Sequence, residues 1–423
     1  MQNIKKTLVT SFALFSLFFG AGNLIFPPLL GFQSGNMWWL VAIGFSISAV
    51  IVPILGIFAH AKLQGTIFDF GKKVGTKFSI IYSLLIYLIA ASLPSPRTAS
   101  VTHEIAIKPF FDTPYLYTSI AYFTLVFLFA INRSKILNIL GKILTPTIII
   151  ILLAIIGVTL FTFDLNFGTT TFRNPFSKGI LEGYQTFDAI AAVVVGGVII
   201  VSININNKKD SYEEKRVLIR RAGWLSGFAL FLIYAGLIIT GALMHNEFSE
   251  TISRTELLNG ISKNTLGDTA NFLLSILVSL ACFTTAVGVV TGTADFIKHL
   301  SKGSKKAFYA TAFIGCLLGV VMGQFNVNSI IQFAVPALMF IYPLTIILIL
   351  LNVVPEKYGS SQVFKIVVIT TLLFSIPDFI DSIGFSSTAI KNYIPLSNYN
   401  IGWILPALLS FVIANLIKKT TRE

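Results

Sequence analysis

The stretch Phe18-Phe19-Gly20-Ala21-Gly22-Asn23 lies inside an apolar run from about Leu8 to Leu30 and decides how the chain is read. It places two glycines and an asparagine at mid-membrane depth. A spanning helix must satisfy its backbone internally, so helix-weakening glycines beside a polar side chain predict main chain that lines a cavity instead of facing lipid. Pro27 and Pro28 add a second weak point one turn later. Gly-x-Gly spacing also occurs where two helices pack closely. The polar Asn23 favours a broken helix, the arrangement by which transporters build sites at the midplane.

Composition agrees with a membrane chain. Of the 423 residues, 55% are hydrophobic and 12% charged, with a mean hydropathy of +0.82. A hydrocarbon core about 30 Å thick needs ~20 apolar residues per helix. Twelve such stretches are predicted, beginning near Thr7, Met37, Lys77, Tyr115, Gly141, Gly179, Ala222, Thr269, Ala307, Ser329, Phe364 and Ile401. The first follows only Lys5 and Lys6, is too long for a signal peptide and lacks a small-residue cleavage site, so it reads as a retained helix.

The net charge of +13 does not indicate nucleic acid, because the basic residues alternate regularly between apolar stretches. With the amino terminus in the cytoplasm, 24 of the 31 Lys and Arg fall inside. The exceptions are Arg97, Lys108, Arg173, Lys178, Arg254, Lys263 and Lys391. The positive-inside rule therefore predicts both termini in the cytoplasm of a multi-pass protein. The cluster from Lys208 to Arg216 reads as a solvated cytoplasmic loop.

Cys282 and Cys316 lie in apolar stretches without paired spacing, and His60, His103, His245 and His299 form no ligand cluster. Neither a transition-metal site nor a cofactor is expected. A membrane-embedded enzyme would need a nucleophile, an acid/base pair or a metal cluster near one interface, and none is legible. A channel would show a selectivity filter or a ring of like charges. A sensor that binds without translocating would be expected to carry a cytoplasmic domain, and the longest hydrophilic stretch, about Asn246 to Asp268, has room for one short external helix at most.

If the first five helices form a unit, the next five start on the opposite face, giving an inverted repeat. Helix six should then carry a matching interruption. It contains Gly183-Tyr184-Gln185-Thr186-Phe187-Asp188 and, mid-stretch, Gly196-Gly197. The glycine pair is the predicted break, with Asp188 about two turns toward the outer side. Helix eight contains Ala281-Cys282-Phe283-Thr284-Thr285, whose hydroxyls suit a hard monovalent cation, although threonines in membrane helices commonly bond back to their own i−4 carbonyl.

The run Phe18 to Pro28, with Gly183 to Ala189 and Leu93-Pro94-Ser95-Pro96-Arg97-Thr98, resembles the bacterial branched-chain amino acid:cation symporters over essentially the whole chain. The resemblance implies an all-α integral membrane protein with the leucine-transporter-like fold of the amino acid/polyamine/cation superfamily. It implies a 5+5 inverted repeat, about residues 7–163 and 179–352, with helices 1 and 6 broken and two peripheral helices, about 364–418. The fold's sodium site maps onto the carbonyls of Ser16, Phe19 and Ala281 and the hydroxyls of Thr284 and Thr285. Asn23 aligns with a residue that helps bind a second sodium in some relatives.

The expected substrate site has the amides of Gly20, Ala21 and Gly22 for a carboxylate, and carbonyls near Phe18 and Val195, Gly196 and Gly197 for an ammonium. An apolar pocket between helices three and eight takes an aliphatic side chain. Asp188 is a candidate proton site or gate if it faces the vestibule; otherwise it sits near the external end, hydrated or paired with Arg97. The expected activity is import of leucine, isoleucine and valine with sodium across the cell membrane.

Overall fold

The computed structural model describes residues 2–132, 136–206 and 211–420, and among them every regular element is a helix. The Lys208 cluster falls outside the described residues as far as Asp210. Helices α1 (Gln2–Phe18) and α2 (Ala21–Ser34) make a first, interrupted rod. The second rod is α3 (Trp38–Ser46) and α4 (Val52–Leu63), joined by one π-turn, followed by a short α5 (Ile67–Gly71). The third joins α6 (Thr76–Ser92) to α7 (Pro94–Thr102) and runs through a π-turn to Ile107. Then follow α8 (Tyr115–Asn132), α9 (Ile136–Thr162), the interrupted pair α10 (Pro175–Tyr184) and α11 (Asp188–Asn206), and α12 (Tyr212–Leu243). The chain closes with α13 (Arg254–Leu300), α14 (Lys305–Gly323), α15 (Val327–Val353), α16 (Ser361–Ser382), a short α17 (Thr388–Lys391) and α18 (Ile404–Thr420).

Counting each interrupted pair once and setting aside α5 and α17, the described residues form twelve rods, so both termini emerge on one face, called here the amino-terminal face. Eight of the helical segments, some of them joined elements, are long and apolar enough to cross a membrane unaided. The others are α1, the interrupted pair α10 and α11, the single helix α9 and the peripheral α18. Two helices start well before their apolar stretches. Capping boxes Ser211/Glu214 and Ser253/Glu256 satisfy the first-turn amides of α12 and α13, so polar residues enter the helix outside the hydrocarbon. In α13, Gly267 (φ 81°) kinks the chain and separates a short helix from the spanning part, matching the room foreseen for Asn246 to Asp268.

Close packing fixes the interior. On α2, a Cβ at Gly31 would lie 1.8 Å from the Ile238 carbonyl of α12, and one at Gly241 would lie 1.9 Å from the Pro28 carbonyl. Between α3 and α10 the same device recurs, Gly44 against the Phe176 carbonyl (2.1 Å) and Gly179 against that of Val41 (2.4 Å). Small residues let helix backbones touch where lipid offers no hydrophobic drive to associate. Exchanging rod one for rod six and rod two for rod seven maps the first contact onto the second, as an inverted repeat requires.

Candidate functional site

The first break forms where α1 ends. Phe19 N–H donates to the Phe15 carbonyl (2.9 Å), and Gly20 then turns extended (φ −118°, ψ −174°) as an N-cap without a side-chain bond. The opening amides of a helix have no intrahelical acceptor, so those of Ala21 and Gly22 face the break with the positive end of the α2 dipole. Asn23, 1% exposed, donates through Nδ2 to Asp188 Oδ2 (2.6 Å) and to the Tyr234 hydroxyl.

The sixth rod breaks elsewhere than predicted. Gly196 and Gly197 lie inside α11 in regular helix, and so does Val195; none has the unwound main chain expected of it. Gly196 is instead a packing residue, since a Cβ there would stand 2.6 Å from the His60 ring, and that ring is anchored to the Val193 carbonyl (2.8 Å). The interruption is at Gln185-Thr186-Phe187, with Phe187 in the left-handed region (φ 62°). Tertiary bonds hold it open: Arg97 Nη1 donates to the Gln185 carbonyl (2.8 Å), and Ala189 N–H donates to the Tyr342 hydroxyl (3.3 Å). Asp188 therefore opens the second half-helix at the centre of the molecule, bonded to Asn23 and not ion-paired to Arg97 among the described residues.

Helix α13 closes the third side. Thr284 and Thr285 both donate to the Ala281 carbonyl at 2.9 Å, the back-bonding arrangement. A hydroxyl has one proton and two lone pairs, so each still offers lone pairs to a cation, whereas Ala281 O is already accepting two bonds. Thr285 Oγ1 lies 3.7 Å from where a Cβ on Gly20 would sit, which joins it to the first break. Thr284 does not line the cavity there, and Ser16 belongs to the final turn of α1.

A cavity of about 100 Å³ fills the junction. Gly20, Gly22, Asn23, Arg97, Asp188 and Thr285 line its polar part. Its apolar wall, with Tyr87, Ala90, Ile190, Val194, Val195 and Val289, extends from both breaks toward the amino-terminal face. On the other side the path is sealed. Tyr184 stacks on Tyr342 (4.4 Å), and Glu182 of α10 binds Arg254 of α13 (3.2 Å). Phe26 packs beneath both Arg97 and Arg254, each 5.1 Å from its ring centroid. Glu104 accepts from Tyr115 (3.0 Å), Thr255 (2.5 Å) and the Val327 amide (2.9 Å), tying the starts of three helices together.

Sequence reading missed Arg97, assigned outside the membrane but 4% exposed at the centre, as well as Tyr234 and the Glu182–Arg254 pair. The signal for Arg97 was the length of the third stretch. Helix continues past the Leu93-Pro94 interruption to Ile107, which draws Arg97 inside.

Comparison with known proteins agrees with this architecture. A solved Na+-coupled sialic acid symporter superposes with a TM-score of 0.61 at 11% identity, covering 97% of this chain and 90% of that one. MhsT in complex with L-phenylalanine gives 0.57 at 16%, covering 97% of each. In sequence the chain is 33% identical to the branched-chain amino acid permease BraB of Bacillus subtilis, over 97% of its own length and 95% of the relative's. It is 30% identical to the branched-chain amino acid transport system 2 carrier protein of Pseudomonas aeruginosa, over 96% and 94%. These relatives are a permease and a carrier, not enzymes. Residues 3–421 match the family model described as branched-chain amino acid transport protein, and the chain belongs to that family.

Proposed function

We propose that the protein is a secondary active symporter that imports leucine, isoleucine and valine with sodium by alternating access. The observation that carries this reading is one cavity bounded by two helix breaks and by Thr285, with an aliphatic wall of Ile190, Val194, Val195 and Val289. The substrate carboxylate meets the amides of Gly20, Ala21 and Gly22 beside Asn23, and the ammonium meets the Phe18 carbonyl and the start of α11 at Asp188. A hydrophobic wall separates side chains that differ by a methylene by only ~1 to 3 kcal/mol, so all three amino acids are accepted.

Sodium sits between α1 and α13, on the carbonyls of Ser16, Phe19 and Ala281 and the hydroxyls of Thr284 and Thr285. Ligation by Ala281 requires one of the two threonines to release that carbonyl. By bridging parts that separate when the amino-terminal side opens, the ion favours the outward-open state, and this differential affinity is the coupling. The bias of Lys and Arg puts the amino-terminal face, with both termini, in the cytoplasm of a bacterial cell. The arrangement described above is then the inward-facing limb, sealed outside by Glu182 and Arg254.

A second reading, proton coupling, is favoured by one observation: Asp188 is 3% exposed, faces the cavity and is bonded to Asn23. Leucine uptake into proteoliposomes separates the two. Accumulation under a sodium gradient at equal pH is the expected result and supports the Thr284 and Thr285 site. Accumulation under a pH gradient without sodium transfers the coupling role to Asp188. Accumulation under neither overturns the substrate.

A further inference from the structure

Two guanidinium groups flank one ring. Arg254 and Arg97 both stand 5.1 Å from the centre of Phe26, yet only Arg254 has a carboxylate in contact. Arg254 has the carboxylate of Glu182 at 3.2 Å. Among the described residues no carboxylate comes within 4 Å of Arg97, which is the more deeply buried of the two. Its Nη1 donates to the Gln185 carbonyl, and its other faces meet the rings of Phe26 and Phe187, while Nε and Nη2 find no acceptor among the described residues.

The position of Nη2 says what is missing. A Cβ on Gly22 would lie 2.9 Å from it, so this nitrogen rests on the first turn of α2. Two positive features, a guanidinium and an uncapped helix amino terminus, thus meet side by side in the wall of the cavity. Such a pair is mutually repulsive, and at 4% exposure the Arg97 side chain has little water around it to screen the charge. An anion between them relieves both. A side chain at position 22 would push the guanidinium off the turn, so the glycine leaves room for this contact.

The geometry points to Arg97 as the residue that binds the carboxylate of the transported amino acid, working with the α2 amides. This rests on the amino-acid reading above and deepens it. The substrate class becomes an α-amino acid with a free carboxylate, gripped by a charge-assisted bond and not by backbone donors alone. Asp188, in the same cavity, stands ready for the ammonium, so the two ends of the zwitterion meet opposite charges on rods three and six.

The test changes the carboxylate on the ligand and the arginine on the protein in one cycle. Binding of leucine and of leucinamide, which keeps the ammonium and the side chain, is measured on the purified full-length protein, with Arg97→Gln and Arg97→Lys alongside. The unaltered protein is expected to prefer leucine by about 100-fold, in line with the strength of hydrogen bonds to charged groups. Arg97→Gln is expected to lose that preference by weakening leucine alone, and Arg97→Lys to keep part of it. Equal loss for both ligands would assign Arg97 to holding the break at Gln185 and overturn the proposal. Equal affinity of the unaltered protein for leucine and leucinamide would overturn it with no variant needed. Absence of leucine binding by the unaltered protein would instead strike the substrate reading beneath it.

Discussion

The two helix breaks that face each other across the cavity are made by opposite means. In rod one, Gly20 and Gly22 supply the backbone freedom and the space, and the interruption is written in the local sequence. In rod six no glycine lies within the break itself. Gln185, Thr186 and Phe187 are held out of the helix by Arg97 and Tyr342, partners 88 and 153 residues away in sequence, and Phe187 accepts a left-handed conformation that costs of order 1–3 kcal/mol for such a residue. The glycine pair of α11, Gly196 and Gly197, serves close approach to His60 and the Gly65 carbonyl. Glycine in a membrane helix therefore marks either a bend or a contact, and only the surroundings tell which.

Substitutions that treat the two glycine sites alike should separate them. The largest effect is expected for Gly22→Leu. Its side chain would collide with Arg97 and with the main chain at Thr186, and leucine uptake should fall by about 100-fold while the protein elutes as the same species in size-exclusion chromatography. Normal uptake by that variant would remove the first break from the site. Gly196→Ala should behave in the opposite way. Overpacking against a His60 ring that is anchored by hydrogen bonds should cost about 1–3 kcal/mol of stability, read as a lower Tm, with leucine affinity unchanged within about twofold.

The third contrast lies between neighbours on α13. Thr285→Ala should raise the sodium concentration for half-maximal uptake roughly tenfold and Thr284→Ala by less, because only Thr285 lines the cavity. Equal, unchanged sodium activation in both would end the ion-site assignment. The smallest loss of transport is expected for Phe187→Gly, in which release of the left-handed conformation offsets part of the lost packing on Arg97. Stability should fall by about 1–3 kcal/mol, the lost packing less the released strain, and uptake should fall only several-fold. A collapse of uptake there would mean that the ring, not the bend, organises the sixth rod.

These differences explain what could be read from residues alone. Twelve hydrophobic runs announce twelve rods because every span must be apolar, and Gly20-Ala21-Gly22-Asn23 announces a break because its cause is local. The second break was misplaced because a loud Gly-Gly pair lay nearby, whereas the bonds that hold Gln185 and Ala189 open come from other rods. Arg97 was misassigned because the alternation of basic residues between apolar stretches counts it among the seven on the outer side. The prolines beside it occupy the first turn of α7, where a missing N–H costs nothing, and the helix runs on. Asp188 was noticed as a carboxylate near the vestibule, but its partners Asn23 and Tyr234 required the fold.

The doubly accepting carbonyl of Ala281 bears on the half of a transport cycle in which nothing is carried. A symporter must return across the membrane empty, and oxygens meant for a cation would then face a dry interior with no partner. Taken as sodium ligands, Thr284 and Thr285 park their protons on their own helix, 2.9 Å from one carbonyl, so the Ala281 oxygen is satisfied once the ion has left. On the sodium reading, the return stroke proceeds without a leak of ions to keep those oxygens company, and the tightness of coupling is set as much by this resting arrangement as by the grip on the ion.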